Sequence, residues 1–164
     1  MPKPSEKKYV AAESKPGRLV VARITPETEL VQGIVEVCKA YGIKSGILIN
    51  AIGTLRKAAI RHGIPNEKDP LGVSPSPDLL VKGPVELGSC QGLVCEDEEG
   101  KVVVHLHASV MDQAKNVYSG HIMEKGNPVA VTVDVSILEA ENIRIVRRYD
   151  PKVGRLMTQP ESTG

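Results

Sequence analysis

Apolar positions along the chain recur with two periods, and the change of period marks the elements. RLVVARI, residues 18–24, is a short β-branched run that predicts a strand. In the next stretch, TPETELVQGIVEVCKAYG, Leu30, Val31, Ile34, Val35, Cys38 and Tyr41 recur at helical spacing. Thr25 is the candidate N-cap, Pro26 suits the first helical position, and Gly42 stands where a helix commonly stops. SGILINAIGTLRKAAIRHG then predicts a buried strand up to Ile52, a turn at Gly53 and Thr54, and a second strand around Ala58 to Arg61.

The stretch GIPNEKDPLGVSPSPDLLVKGP carries five prolines and little periodicity, which predicts a long loop of the kind that often serves function. VELGSCQGLVCEDEEGKVVVHLHASV follows as two strands joined by the acidic turn EDEEG, a hairpin. Beyond the loop MDQAKNVYSG, the runs HIM, NPVAVTVDVSILEA and IRIVRRYDP predict further strands, and the residues after Pro151 show no pattern. One firm helix and about seven strands make an α+β domain, mostly antiparallel sheet or distorted barrel. Residues 1–17 read as a flexible arm rich in Lys, Ser, Glu and Pro, 18–150 as one domain, and 151–164 as a tail.

Composition adds constraints. With no Phe, no Trp and four Tyr in 164 residues, the core has to be built from Val, Ile, Leu and Ala. Lys and Arg number 21 against 20 Asp and Glu, so no global field draws the protein to nucleic acid or an anionic membrane, and such binding would need a local patch. Three cysteines, Cys38, Cys90 and Cys95, form no C-x-x-C pair and read as reduced core thiols. MPKPSEKKYV has charges where a signal peptide needs its apolar core, and no run approaches membrane-spanning length, so a soluble cytoplasmic protein with no membrane partner is expected.

Three of the four histidines fall within HLHASVMDQAKNVYSGHI, residues 105–122. On a strand, His105 and His107 share a face with Val103, and His121 lies beyond a loop containing Gly120 that lets the chain return beside them. Three neutral imidazoles from two adjacent strands suit zinc or a similar divalent ion, and a three-ligand shell leaves a position open for water or substrate. The bland alternative is a set of hydrogen-bonded buried histidines, which the apolar run around them makes costly. Glu86 and Asp112 are the candidate catalytic carboxylates by motif position, against the plainer readings of a solvated strand residue and a turn former. His62, in RHGIPN, reads as an exposed residue within reach of the site.

NAIGTL at residues 50–55, GPVELGSCQG at 83–92, and HLHASVMD followed by SGHI resemble the successive signatures of the PPC domain, the plant and prokaryote conserved domain, over about residues 18–148. The resemblance implies an α+β fold with a central antiparallel sheet, a homotrimer, and a metal ion on His105, His107 and His121. It also implies a distant likeness to acetolactate decarboxylase, a zinc enzyme with a similar histidine set. Ser119-Gly120 stands where many relatives carry Gly-Gly. Plant members largely lack these histidines and bind DNA through a separate basic hook.

Two functions follow. As a DNA-associated module, the protein would bind weakly through Lys3, Lys7, Lys8, Arg144, Arg147 and Arg148, with no R-G-R-P hook and no Phe or Trp for stacking. As a metal-dependent lyase or decarboxylase, it would act on a small oxo or hydroxy acid. The histidine stretch contains no arginine to clamp a carboxylate, which leaves Arg56 or Arg61 to supply one from elsewhere.

Overall fold

A computed structural model describes residues 9–163, so Lys3, Lys7 and Lys8 lie outside the described residues. Among the described residues the chain forms a mostly antiparallel sheet with one helix, as the two periods predict. Strands β1 (Lys15–Ile24), β2 (Gly46–Arg61), β5 (Leu79–Glu96), β6 (Val102–Met111), β7 (Val117–Ile122), β8 (Val129–Glu141), β9 (Ile143–Asp150) and β10 (Arg155–Ser162) run in the order β1-β8-β2-β7-β6-β5-β9-β10. A further pairing of β2 with β5 closes β2, β7, β6 and β5 into a distorted ring. β3 (Gly63–Pro65) and β4 (Val73–Pro75) form a separate small hairpin. Helix α1 (Leu30–Tyr41) turns Leu30, Ile34, Val35 and Cys38 into a core with no Phe or Trp, where Leu48, Leu55, Leu87, Leu106 and Ile137 are fully buried.

Four sequence readings change. The helix starts at Leu30 with Glu29 as its extended N-cap, so neither Thr25 nor Pro26 begins it. The backbone around Glu27 to Leu30 is held by residues 127–129 instead: Glu27 N–H donates to the Val129 carbonyl, Leu30 N–H to that of Asn127, and Val129 N–H to that of Thr28. Glu29 also accepts from the backbone N–H groups of Gly126 and Asn127, fixing the entry to the helix. Gly42 does end it, in the left-handed conformation at φ 68.

The expected turn at Gly53 and Thr54 is absent, and β2 runs through them as one strand of 16 residues that changes neighbours along its length. A bend with register shifts serves where a turn was expected, because both flanking strands continue the ladder. The proline-rich stretch contains the β3–β4 hairpin and gives way to β5 at Leu79. Finally, residues 155–162, without periodicity of their own, pair with β9 along its whole length as β10.

Facing pairs carry one row of side chains across five strands. Leu19 lies opposite Leu138, Leu138 opposite Ile47, Ile47 opposite Leu93, and Leu93 opposite His105. Directly opposed residues share a face, so His105 stands at the end of an apolar row on the outside of the sheet.

Candidate metal centre

His105 and His107 share a face of β6 because they are two residues apart, and the β6–β7 register sets His121 directly opposite His107. The reversal between these strands is built by Asp112, whose carboxylate accepts from the Asn116 backbone N–H at 2.8 Å, the Asn116 amide at 3.0 Å and the Tyr118 hydroxyl at 3.1 Å. Ring centroids are 5.2 Å apart for His105 and His107, 4.9 Å for His105 and His121, and 5.5 Å for His107 and His121. One nitrogen from each ring lies within 4.8 Å of the others. Nitrogens on a tetrahedral zinc ion stand about 3.3 Å apart, so small ring rotations bring the trio to ligating distance.

Two further observations fit a cation. Nδ1 of His105 and Nδ1 of His121 are buried with no hydrogen-bond partner among the described residues, an unfavourable arrangement that an ion between the rings would relieve. Burial first, then the nearby Arg147 and the other two imidazoles, pushes His105 down to about 4. His121 is lowered as well, by burial first and then by His107, Arg147 and Arg61. At neutral pH both therefore present the uncharged imidazole that ligation needs.

The sign for stability follows. Between an ordinary imidazole pKa of about 6.5 and the lowered values, the unfolded chain binds protons that the folded chain refuses. Metal-free protein should thus lose stability as pH falls from about 6.5 toward 4. Thermal melts at pH 7 and pH 5 check this: the melting temperature should drop at the lower pH, and drop less in a His105→Ala variant.

The three histidines line a cavity of about 580 Å³ together with Arg61, His62, Arg147, Arg155 and the β3–β4 hairpin. His62 thus belongs to the site's wall, 3.4 Å from the Ser76 hydroxyl through Nδ1. Arg155 on β10 holds the hairpin in place, pairing with Asp69 at 2.6 Å and donating to the Val73 carbonyl. Arg61 pairs with Asp78. Arg147 differs, since its buried Nε has no partner among the described residues.

The other candidates lie elsewhere. Glu86 faces Met111 across β5 and β6, with the Thr54 hydroxyl 3.4 Å from its carboxylate. Glu86, level with Met111, sits four positions along β6 from His107 and Asp112 five, roughly 13–16 Å along the sheet, and neither lines the cavity. Arg56 pairs with Glu27 at 2.6 Å, away from the histidines. Cys90 and Cys95 are buried thiols, pushed up by burial to about 12 and about 11, outside the histidine group. Sequence reasoning did not single out Arg155 and read Arg147 only as part of a basic cluster, because strand pairing brings both to the histidines and no local spacing reveals it.

A model of the Plants and Prokaryotes Conserved (PCC) domain matches residues 11–141. The chain belongs to this family. Among solved structures, the PCC-domain chain is similar to a plant- and prokaryote-conserved protein of Pyrococcus horikoshii, with 26% identity, a TM-score of 0.73, and coverage of 90% of this chain and 96% of that one. It also superposes on a metal-containing protein of Archaeoglobus fulgidus, with 22% identity, a TM-score of 0.75, and coverage of 93% and 99%. A Bacteroides thetaiotaomicron protein whose name proposes DNA binding matches with 22% identity, a TM-score of 0.69, and coverage of 89% and 96%. A bifunctional protein GlmU of Synechococcus sp. (strain JA-3-3Ab) is 24% identical over 139 residues, 85% of this chain. The PCC-domain chain spans about a fifth of that relative's length, 20%.

The basic cluster foreseen on β9 is divided by the fold. Arg144 pairs with the buried Glu96 at 2.9 Å, Arg148 pairs with Glu161 at 2.9 Å, and Arg147 turns to the histidine cavity. Among the described residues no helix is long and apolar enough to cross a membrane.

Proposed function

We propose that the PCC domain here holds one divalent ion, zinc by its all-imidazole donors, on His105, His107 and His121, and acts on a small oxo or hydroxy acid bound in the adjoining cavity. The observation that carries this is the convergence of three ring nitrogens within 4.8 Å at the wall of a cavity lined by arginines. A divalent ion in this setting supplies a Lewis acid that polarises a carbonyl oxygen. The chain's own residues do the rest. Arg147, whose buried Nε has no partner among the described residues, favours an anionic ligand, and the β3–β4 hairpin, tied down by Arg155, limits solvent access on one side. His62 is the side chain placed to carry a proton at this wall. Loss of carbon dioxide from such an acid is the reaction that fits the likeness to acetolactate decarboxylase.

The test is a panel of 2-oxo and 2-hydroxy acids offered to metal-loaded and metal-stripped protein, with binding followed by calorimetry and carbon dioxide release by trapping. Binding that requires the metal, with turnover of at least one member, is expected. A metal-loaded protein that binds none of them would remove the enzymatic reading.

A DNA-associated role draws on the name of the Bacteroides relative. Against it, Arg144 and Arg148 are paired with Glu96 and Glu161, Arg147 faces the histidine cavity, and the net charge is +1. DNA binding, where measured by titration of a duplex at two salt concentrations, should be weak and salt-sensitive and should not depend on the metal.

The chain's own partner is a second and third copy of itself. What supports the homotrimer, beyond the resemblance, is the apolar row on the outer face of the sheet, where Leu19 is 60% exposed and Ile47 44%. Neighbouring Val21, 69% exposed, and Ile49, 45%, extend it. Light scattering at several concentrations should give three times the chain mass of 17.6 kDa, and Leu19→Lys should lower it. A monomeric wild type at micromolar concentration would exclude the assembly.

A further inference from the structure

A second cavity, of about 610 Å³, meets the first at His121, Arg147 and Leu156, which line both. It opens between α1, the acidic turn after β5 and the stretch of β6 from Val102 to Leu106, which β7 leaves unpaired. Its walls are apolar where helix and strands face each other, with Val31, Val35, Val104, Ile122 and Met123. Its rim is acidic on balance, with Asp97, Glu98, Glu99 and Glu124 against Lys39 and Lys101.

Charge is therefore graded along this space. Arg147 is the sole arginine among the residues that line the second cavity, and it sits where the two cavities meet. Its Nε is buried and unpartnered among the described residues, whereas Arg61 and Arg155 are occupied by Asp78 and Asp69. A buried guanidinium donor without an acceptor is unfavourable, and a carboxylate is the acceptor that matches its planar fork.

We infer that the ligand of this site is an acid with an unbranched aliphatic chain, its carboxylate on Arg147 beside the histidines and its chain in the groove under α1. This rests on the reading of the histidines as a metal centre for oxo or hydroxy acids and specifies the other end of that ligand. The orientation follows from the rim: four carboxylates repel an anionic head there, and the apolar walls reward each methylene withdrawn from water.

The experiment is calorimetric titration of metal-loaded protein with straight-chain 2-oxo acids from pyruvate to 2-oxooctanoate. Affinity should rise about fourfold for each added methylene until the groove is full. Arg147→Gln should weaken every member by about 10-fold to 100-fold while metal content, measured by elemental analysis, stays at the wild-type level. Val31→Glu should flatten the dependence on chain length. Val104→Thr, which keeps the side-chain size, makes the same test should the glutamate variant fail to fold. Equal affinity across the acids in the wild type would overturn the chain groove and leave the metal centre standing. Unchanged binding in Arg147→Gln, or loss of its metal, would overturn the role given to Arg147. Wild-type protein that takes up no metal would instead remove the reading beneath both.

Discussion

Replacing His105 and His107 together with alanine is expected to abolish stable metal binding. Wild-type protein should carry about one divalent ion per chain. The double variant keeps a single imidazole, His121, and one neutral nitrogen on a strand cannot hold zinc against buffer water. Losing an outer partner of a ligand typically costs about 10-fold to 100-fold in affinity, and losing two of three direct ligands should exceed that range. Fold and metal are separable here, because both side chains lie on the outer face of β6 and the buried neighbours on the opposite face, Leu106 and Ala108, are untouched. At pH 7, circular dichroism and thermal melts of the metal-stripped proteins should accordingly be similar, while elemental analysis separates them. Equal metal content in a folded double variant would mean that the ion sits elsewhere or binds adventitiously.

The second large effect belongs to Gly120, next to His121. A Cβ at this position would stand 2.3 Å from the Arg61 carbonyl oxygen and 3.0 Å from its carbon, backbone atoms that cannot swing aside. The contact matters because the ring closes there: Ile60 opposite Ile122 and Arg61 opposite His121 are the register pairs that join β2 to β7. Gly120→Ala should force the two strands apart, costing about 3 kcal/mol, at the upper end of overpacking effects. For a chain of this size that lowers the melting temperature by roughly 6–12 °C. It should also displace His121 and weaken metal binding by about 10-fold or more, the scale of a misplaced ligand. Gly88→Ala is the control, since a Cβ there meets nothing nearer than the Ser109 carbonyl oxygen at 3.9 Å, and its effect should stay within about 0.5 kcal/mol. If the two variants melt alike, the close approach at Gly120 does not hold the ring together.

Both predictions also explain short motifs. The glycine of SGHI is a steric requirement of the β2 neighbour, and the second glycine of GSCQG plays the same part on β5. A Cβ at Gly92 would lie 2.0 Å from the carbonyl oxygen of His105. Each glycine allows a strand to approach within contact of a residue at the site.

The local pattern was sufficient for whatever depends on neighbours a few residues apart. Helical spacing from Leu30 to Tyr41 revealed α1 and its end at Gly42, and the hairpin with its EDEEG turn was legible from alternation and turn chemistry. The alternation of a strand put His105 and His107 on one face, and an expected return of the chain made a third histidine reachable. The reversal itself lies at Asp112 to Asn116, and Gly120, expected in the loop, is inside β7. Tertiary pairing decided what local pattern could not. The helix start moved to Leu30 because residues 127–129 claim the backbone before it, and the turn at Gly53 became a continuous strand because β8 and β5 extend its ladder on both sides. β10 forms because β9 offers an edge to pair with. The same holds for charge. Arg144, Arg147 and Arg148 are equivalent letters in IRIVRRYD, yet two are neutralised by Glu96 and Glu161 and one is brought to the histidines. A side chain's charge is written in the sequence, but the groups that screen it or leave it unpaired are chosen by which strands come to lie side by side.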